Sequence, residues 1–184
     1  SKKWGGNERW VTTAVNGLAT RGHKIYLIVR QNARHWKKIH SSVNIVEAPY
    51  TNELSIKTKS IIKRILNNNI DIMLSTKRKD YIIAAQIKYS NEIKHIMRLG
   101  ISRPILKRDF IQRYVLKHMV DGIIVNAEAL KSELLKYDFM KQNFDSNKIK
   151  CIYNGYDITE KRKEEISNKT YSFIVRSAGR LTAH

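Results

Sequence analysis

The chain has 184 residues, enough for one well-cored domain and too few for two of ordinary size. It carries 35 Lys and Arg against 16 Asp and Glu, a formal charge of +19, so charge alone favours nucleic acid, anionic lipid or phosphorylated ligands as partners. A hydrophobic share of 42% argues against a mainly disordered chain, and the single cysteine, Cys151, excludes an intrachain disulfide or a multi-cysteine metal site.

From Glu8 to Arg21 the residues Val11, Ala14, Val15 and Leu18 recur at the spacing of one helical face, and Gly22 is placed to stop that helix. Lys24 to Val29, centred on IYLIV, reads as a strand covered on both faces. The alternation continues through strand Val43–Ala48, helix Ile56–Leu66, a polar turn at Asn67–Asn69, strand Ile70–Leu74, helix Tyr81–Ile87 and strand Ile93–Arg98. After Asp109 a helix is expected to carry Phe110, Tyr114, Val115 and His118 on one side. Strand Gly122–Asn126, helix Ala127–Tyr137 and strand Ile149–Tyr153 follow. Because a parallel crossover takes a dozen or more residues and usually spends them on a helix, this order predicts an α/β, Rossmann-like parallel sheet with helices on both faces. Domain boundaries are expected at 1–158 for the main domain, 159–170 for a charged linker (TEKRKEEISNK at its centre) and 171–184 for the start of a second domain. The Gly5-Gly6 pair opens the first helix as a phosphate-facing loop would, yet only Ser1 to Trp4 precede it, so the strand that feeds such a loop is expected to be missing from this sequence.

Several residues are placed for chemistry. Gly5 and Gly6 before a helix would let backbone N–H groups and the positive helix end approach an anion; a tight turn is the plainer alternative. The pair is neither a Walker loop nor a complete dinucleotide fingerprint. Asn126 and Glu128 flank a strand-to-helix junction at the carboxyl edge of the sheet, where open α/β folds put ligands, or else cap the helix. Asn154-Gly155 reads as a turn. The six histidines show no paired metal-ligand spacing, so no metal is assigned. No GxSxG elbow is present, and Cys151 reads as a small core residue. No run is long and apolar enough to span a membrane, and the opening SKKWGGNERW lacks the apolar core of a signal peptide.

In order, GGNERWVTTAVNGLATRGHKIYLIVR, VDGIIVNAEALKSELL, IKCIYNGYDI and SAGRL resemble the group 1 glycosyltransferases, retaining enzymes of the two-domain GT-B fold. The resemblance implies an acceptor-binding N-terminal domain followed by the first residues of the nucleotide-sugar domain. It implies transfer of a sugar from a nucleoside diphosphate sugar to a saccharide or lipid-linked saccharide, with no metal and no cofactor beyond that donor. It places Gly5 and Gly6 at the cleft near the donor diphosphate, Asn126 and Glu128 at the same edge, and Arg180 across the cleft. Family members often carry a histidine near the transferred sugar at the end of the fifth strand; here that stretch is Lys94-His95-Ile96-Met97-Arg98. His95 and Arg98 cannot face one cleft without a bulge, and of the two Arg98 is favoured. The catalytic residues themselves are not identified, and the chain is expected to be inactive as a fragment.

Basic residues gather at Arg30–Lys38, Lys57–Arg64, Lys77–Lys79 and Arg103–Arg113, with Trp36, Phe110 and Tyr114 near them. The resemblance gives these clusters a use, as contacts of a cytoplasmic, peripheral protein with an anionic membrane surface, Arg30–Lys38 and Arg103–Arg113 forming the contact face. The alternative is a nucleic-acid-binding α/β module, in which the same mixture contacts phosphates and stacks on bases.

Overall fold

The computed structural model describes residues 5–31, 36, 38–49, 56–101 and 110–155. The chain divides into two compact units, Ser1–Asn154 and Gly155–His184. The linker, the expected strand Tyr171–Val175 and Arg180 lie outside the described residues.

The first unit is α/β with parallel sheets flanked by helices, the Rossmann-like class expected from the alternation. Helix α1 (Gly6–Ala19) leads to strands β1 (Tyr26–Arg30) and β2 (Asn44–Ala48), then helix α2 (Ile56–Leu66). Next come strand β3 (Ile72–Ser75), helix α3 (Arg78–Lys88), strand β4 (Lys94–Leu99) and helix α4 (Phe110–Met119). Strand β5 (Gly122–Val125), helices α5 (Glu128–Leu135) and α6 (Asp138–Asn143), a 3₁₀ turn at Ser146–Lys148 and strand β6 (Ile149–Cys151) complete the unit. All described strand pairs are parallel, but they form two sheets, β1-β2 and β3-β4-β5-β6. β1 and β3 are therefore edges, each hydrogen-bonded on one side only among the described residues. Ile28 of β1 and Met73 of β3 nevertheless pack into one cluster with Ile62 of α2 and with Ile83 and Ile87 of α3.

The main core lies around the four-stranded sheet, where Met97, Leu99, Ile123, Val125 and Ile149 meet Val115, Leu116, Leu130, Leu134 and Met140 from the helices. The two-stranded sheet has a thinner core: Ala19, Leu27, Val29 and Val43, with Val11, Val15 and Trp36 partly buried against it.

Several sequence expectations need correction. Leu18 does not belong to a buried face of α1; it is 40% exposed, and the helix buries Glu8 and Ala19 instead. β1 alternates buried and half-buried residues, so it is less fully covered than its apolar run suggests. On α4 the expected grouping splits. Val115 turns into the core with Gln112 and Leu116, while Phe110, Tyr114 and His118 lie on the exposed side. The helix expected to run to Tyr137 stops at Leu135, and α6 follows with Tyr137 as its N-cap. By contrast, Gly22 adopts φ 85° just past α1, and Asn69 takes φ 57° in the polar turn, the left-handed conformations those residue types tolerate best.

Candidate functional site at the carboxyl edge

The carboxyl ends of parallel strands point their following loops to one edge, and the start of α1 lies at that edge of the four-stranded sheet. Asn7, in the first turn of α1, donates from Nδ2 to Thr76 Oγ1 (3.2 Å) in the loop after β3. Its Oδ1 accepts from Arg98 near the end of β4 (3.1 Å). The other end of the Arg98 guanidinium donates to Asn154 Oδ1 (3.3 Å), beyond β6. The guanidinium also lies 4.2 Å from the centre of the Trp10 ring, one turn further along α1. Asn126, after β5, donates to the Gly100 carbonyl (3.2 Å). Thr76 after β3, Arg98 in β4 and Asn154 after β6 are thus linked around the N-terminal turn of α1, while Asn126 after β5 reaches the neighbouring Gly100.

Arg98 is the centre of this arrangement. It is only 5% exposed, and its hydrogen-bond partners are the neutral amide oxygens of Asn7 and Asn154. Burial pulls its pKa below the ordinary guanidinium value, an effect the nearby Tyr81 opposes. Tyr81 also fixes the strand end by donating its hydroxyl to the Arg98 carbonyl (2.9 Å). Gly100 makes the space: a Cβ there would stand 2.6 Å from Arg98 Nη1. A buried cation without an ion-pair partner costs free energy, so the surrounding fold has to hold it there.

Gly5 and Gly6 stand at the open side. Gly5 is the extended N-cap and supplies no side-chain cap, which leaves the first-turn amides of α1 without that partner. Gly6 is exposed, and a Cβ at its position would meet nothing within 4 Å. Neither a positive φ nor internal crowding therefore requires glycine at position 6. In the same turn, Glu8 pairs with Lys77 (2.6 Å), and the Lys77 backbone N–H donates to Asp80 Oδ2 (3.1 Å). Burial raises the Asp80 pKa, against the stabilising backbone N–H groups of Thr76 and Lys77.

The other sequence candidates separate. Asn126 and Glu128 do not cap α5; Ala127 is its N-cap and no side chain bonds there. Glu128 instead approaches Cys151, whose thiol is pushed up first by burial and then by the Glu128 hydrogen bond, which disfavours the thiolate. His95 faces away from Arg98, as strand alternation requires. It is fully buried, with Nδ1 2.8 Å from the Met119 carbonyl and Nε2 2.6 Å from Ser75 Oγ. The carbonyl fixes Nδ1 as the protonated nitrogen, so Nε2 accepts from the serine hydroxyl. Asn7, Trp10, Thr76 and Gly100 were not legible as site residues, because only the assembled edge brings them to Arg98.

Among the described residues no group of three His, Cys, Asp or Glu side chains is arranged to hold a metal ion. No helix among them is long and apolar enough to cross a membrane. No protein-family model matches the sequence, and no curated protein matches it.

Proposed function

We propose that this chain is the acceptor-side lobe of a retaining glycosyltransferase that uses a nucleoside diphosphate sugar, and that the edge around α1 faces the donor's diphosphate. The observation that carries this reading is a buried guanidinium, bonded among the described residues to neutral oxygens alone, beneath the N-terminal turn of a 14-residue helix. Helix N-termini carry roughly half a positive charge, and the Arg98 charge adds to that field. In this arrangement the first-turn amides, led by that of exposed Gly6, make contact while Arg98 supplies potential from below. A leaving diphosphate gains negative charge as the glycosidic bond breaks, and preorganised positive groups at that point lower the barrier. Gly6, needed for neither turn nor packing, leaves backbone within reach of a bulky phosphate. The resemblance also implies a diphosphate contact for Arg180, which lies outside the described residues. The acceptor is a saccharide or lipid-linked saccharide, and the protein works on the cytoplasmic side, held peripherally at an anionic membrane surface.

The test is an amide-resolved NMR titration with inorganic pyrophosphate, followed by competition with a panel of nucleoside diphosphates. Shifts should concentrate at Gly6, Asn7 and Glu8, and the Arg98→Met variant should weaken them severalfold. Shifts spread over exposed lysines alone, or unchanged in Arg98→Met, would overturn the assignment of the edge. Because the resemblance implies a chain inactive as a fragment, the chain alone, supplied with nucleoside diphosphate sugars and a lipid-linked saccharide, should release no nucleoside diphosphate above background; appreciable release would overturn that expectation.

A further inference from the structure

Helix α4 presents an outward face that a solvated helix does not need. Phe110 is 83% exposed, Ile111 57% and Tyr114 55%, all within the first five residues of the helix. The opposite face is already occupied, since Gln112, Val115 and Leu116 are buried. Phe110, Tyr114 and His118 follow one another at single-turn spacing, and the Tyr114 and His118 rings meet with centroids 4.8 Å apart. Lone exposed apolar residues are ordinary, but adjacent large ones on one helix face mark a contact surface.

The charge around this face selects the occupant. α4 contains no acidic residue, and Lys117 and His118 are exposed at its C-terminal end. The sequence just before it, which lies outside the described residues, has Arg103, Lys107 and Arg108 against the single acid Asp109. An outward apolar stripe on a helix with Lys117 exposed and no acidic residue is the pattern of an interfacial helix: aromatic and aliphatic side chains enter the acyl boundary while the ammonium stays with anionic head groups. Single-stranded nucleic acid would also accept cations and aromatic rings, but it gives an aliphatic residue such as Ile111 no comparable reward. We infer that the outer face of α4, led by Phe110, Ile111 and Tyr114, is the surface by which this protein docks on an anionic lipid bilayer. This inference rests on the membrane-peripheral part of the proposed function and is independent of the sugar-transfer part. It moves the contact from the basic clusters as such to one helix with an apolar stripe.

Flotation of the whole chain with vesicles of phosphatidylcholine alone, or of phosphatidylcholine with phosphatidylglycerol, tests it. Binding is expected only with phosphatidylglycerol and should fall with added salt. The double variant Phe110→Ser with Tyr114→Ser should lose at least about tenfold in vesicle binding, because two large apolar side chains no longer enter the membrane. Lys117→Gln should cost severalfold at low salt and little at high salt. Both sites are exposed, and an unchanged circular-dichroism melting curve confirms that the variants fold. Four outcomes overturn the inference: double-variant binding equal to the parent's, equal binding to neutral vesicles, no vesicle binding at all, or an oligonucleotide or self-association signal that alone disappears in the double variant. None of them touches the pyrophosphate titration, so failure here and failure of the sugar-transfer reading are distinguishable.

Discussion

The two sheets of this unit use the same parallel pairing with unequal support. The sheet β3-β4-β5-β6 is covered by α3, α4, α5 and α6, and its strands β4, β5 and β6 share one large cluster with residues of all four helices. β1-β2 leans on α1 for a core of small and branched residues, and on α2 and α3 through the cluster that Ile28 shares with Met73. A two-stranded sheet is marginal alone and takes its stability from what packs against it. The candidate site therefore joins a robust platform, which places Arg98, to a lightly supported helix, whose first turn supplies Asn7 and Gly6. The difference makes the larger sheet the anchor of the site, since the first turn of α1 is tied to it through Asn7 and the Glu8–Lys77 pair.

The sharpest way to break that comparison is to empty each core in turn. Met97→Ala, at a fully buried position between α3 and α4, should cost about 2–5 kcal/mol in urea unfolding. Leu27→Ala should cost less, nearer about 2 kcal/mol, because the thinner core can collapse around the gap. In hydrogen exchange Leu27→Ala should raise rates in α1, β1 and β2 while β4 and β5 keep their protection. Equal exchange increases in both sheets would show a single cooperative unit and end the distinction.

Gly100→Ala tests the platform's hold on the cation. The new methyl would stand 2.6 Å from Arg98 Nη1, and that guanidinium is held by Asn7, Asn154 and Trp10. Relief requires leaving at least one of these partners, at about 1–3 kcal/mol. Thermal unfolding reads the cost, and a change in tryptophan emission should accompany it because the cation leaves the Trp10 ring. A melting point and emission both unchanged would mean that Arg98 has room to spare.

The pH dependence sharpens the comparison from within the larger sheet. Burial lowers the His95 pKa below 6.5, more than the Met119 carbonyl and Asp121 restore. The unfolded state therefore binds a proton more readily, and His95 contributes stability above pH 6.5 that is lost as pH falls toward its folded value. Asp121 adds a second loss at lower pH. Burial raises its pKa, but Lys88 and the His95 N–H outweigh that and hold it below 3.8. Stability should decline first below pH 6.5, then again in the carboxylate range, and His95→Gln should flatten only the first decline. Persistence of that first decline in His95→Gln would assign it to other groups.

How much of this was legible in the sequence follows from which forces are local. Gly22 and Asn69 could be read because a left-handed residue is a one-position constraint. The alternation of strand and helix was legible because periodicity records burial, and it gave the parallel class correctly. It could not show that the sheet is interrupted between β1 and β3, since pairing is a long-range choice. On α4 the sequence groups Val115 with Phe110 and Tyr114, which look like core residues but are exposed, because periodicity does not say which face is covered. At the site, alternation already set Arg98 and His95 on opposite faces. The Asn7–Arg98–Asn154 connection spans most of the unit and left no spacing to read.

The smallest effect on stability should come from the residue that matters most to the proposed site. Arg98→Met keeps much of the side chain's length against Trp10 and removes a charge that the fold desolvates without an ion-pair partner. The variant forfeits two bonds from a charged donor, each worth about 1.5–3 kcal/mol, and recovers the cost of burying the guanidinium, which is of similar size. Its unfolding free energy should fall within about 1 kcal/mol of the parent, on either side. Water can replace the guanidinium on half-buried Asn7 and exposed Asn154, whereas an arginine on which the placement of α1 depended would cost several kcal/mol when removed. Near-neutral stability together with weakened pyrophosphate binding would separate a cation kept for an anionic ligand from one kept for the fold; a large loss of stability would place Arg98 among the supports of the platform.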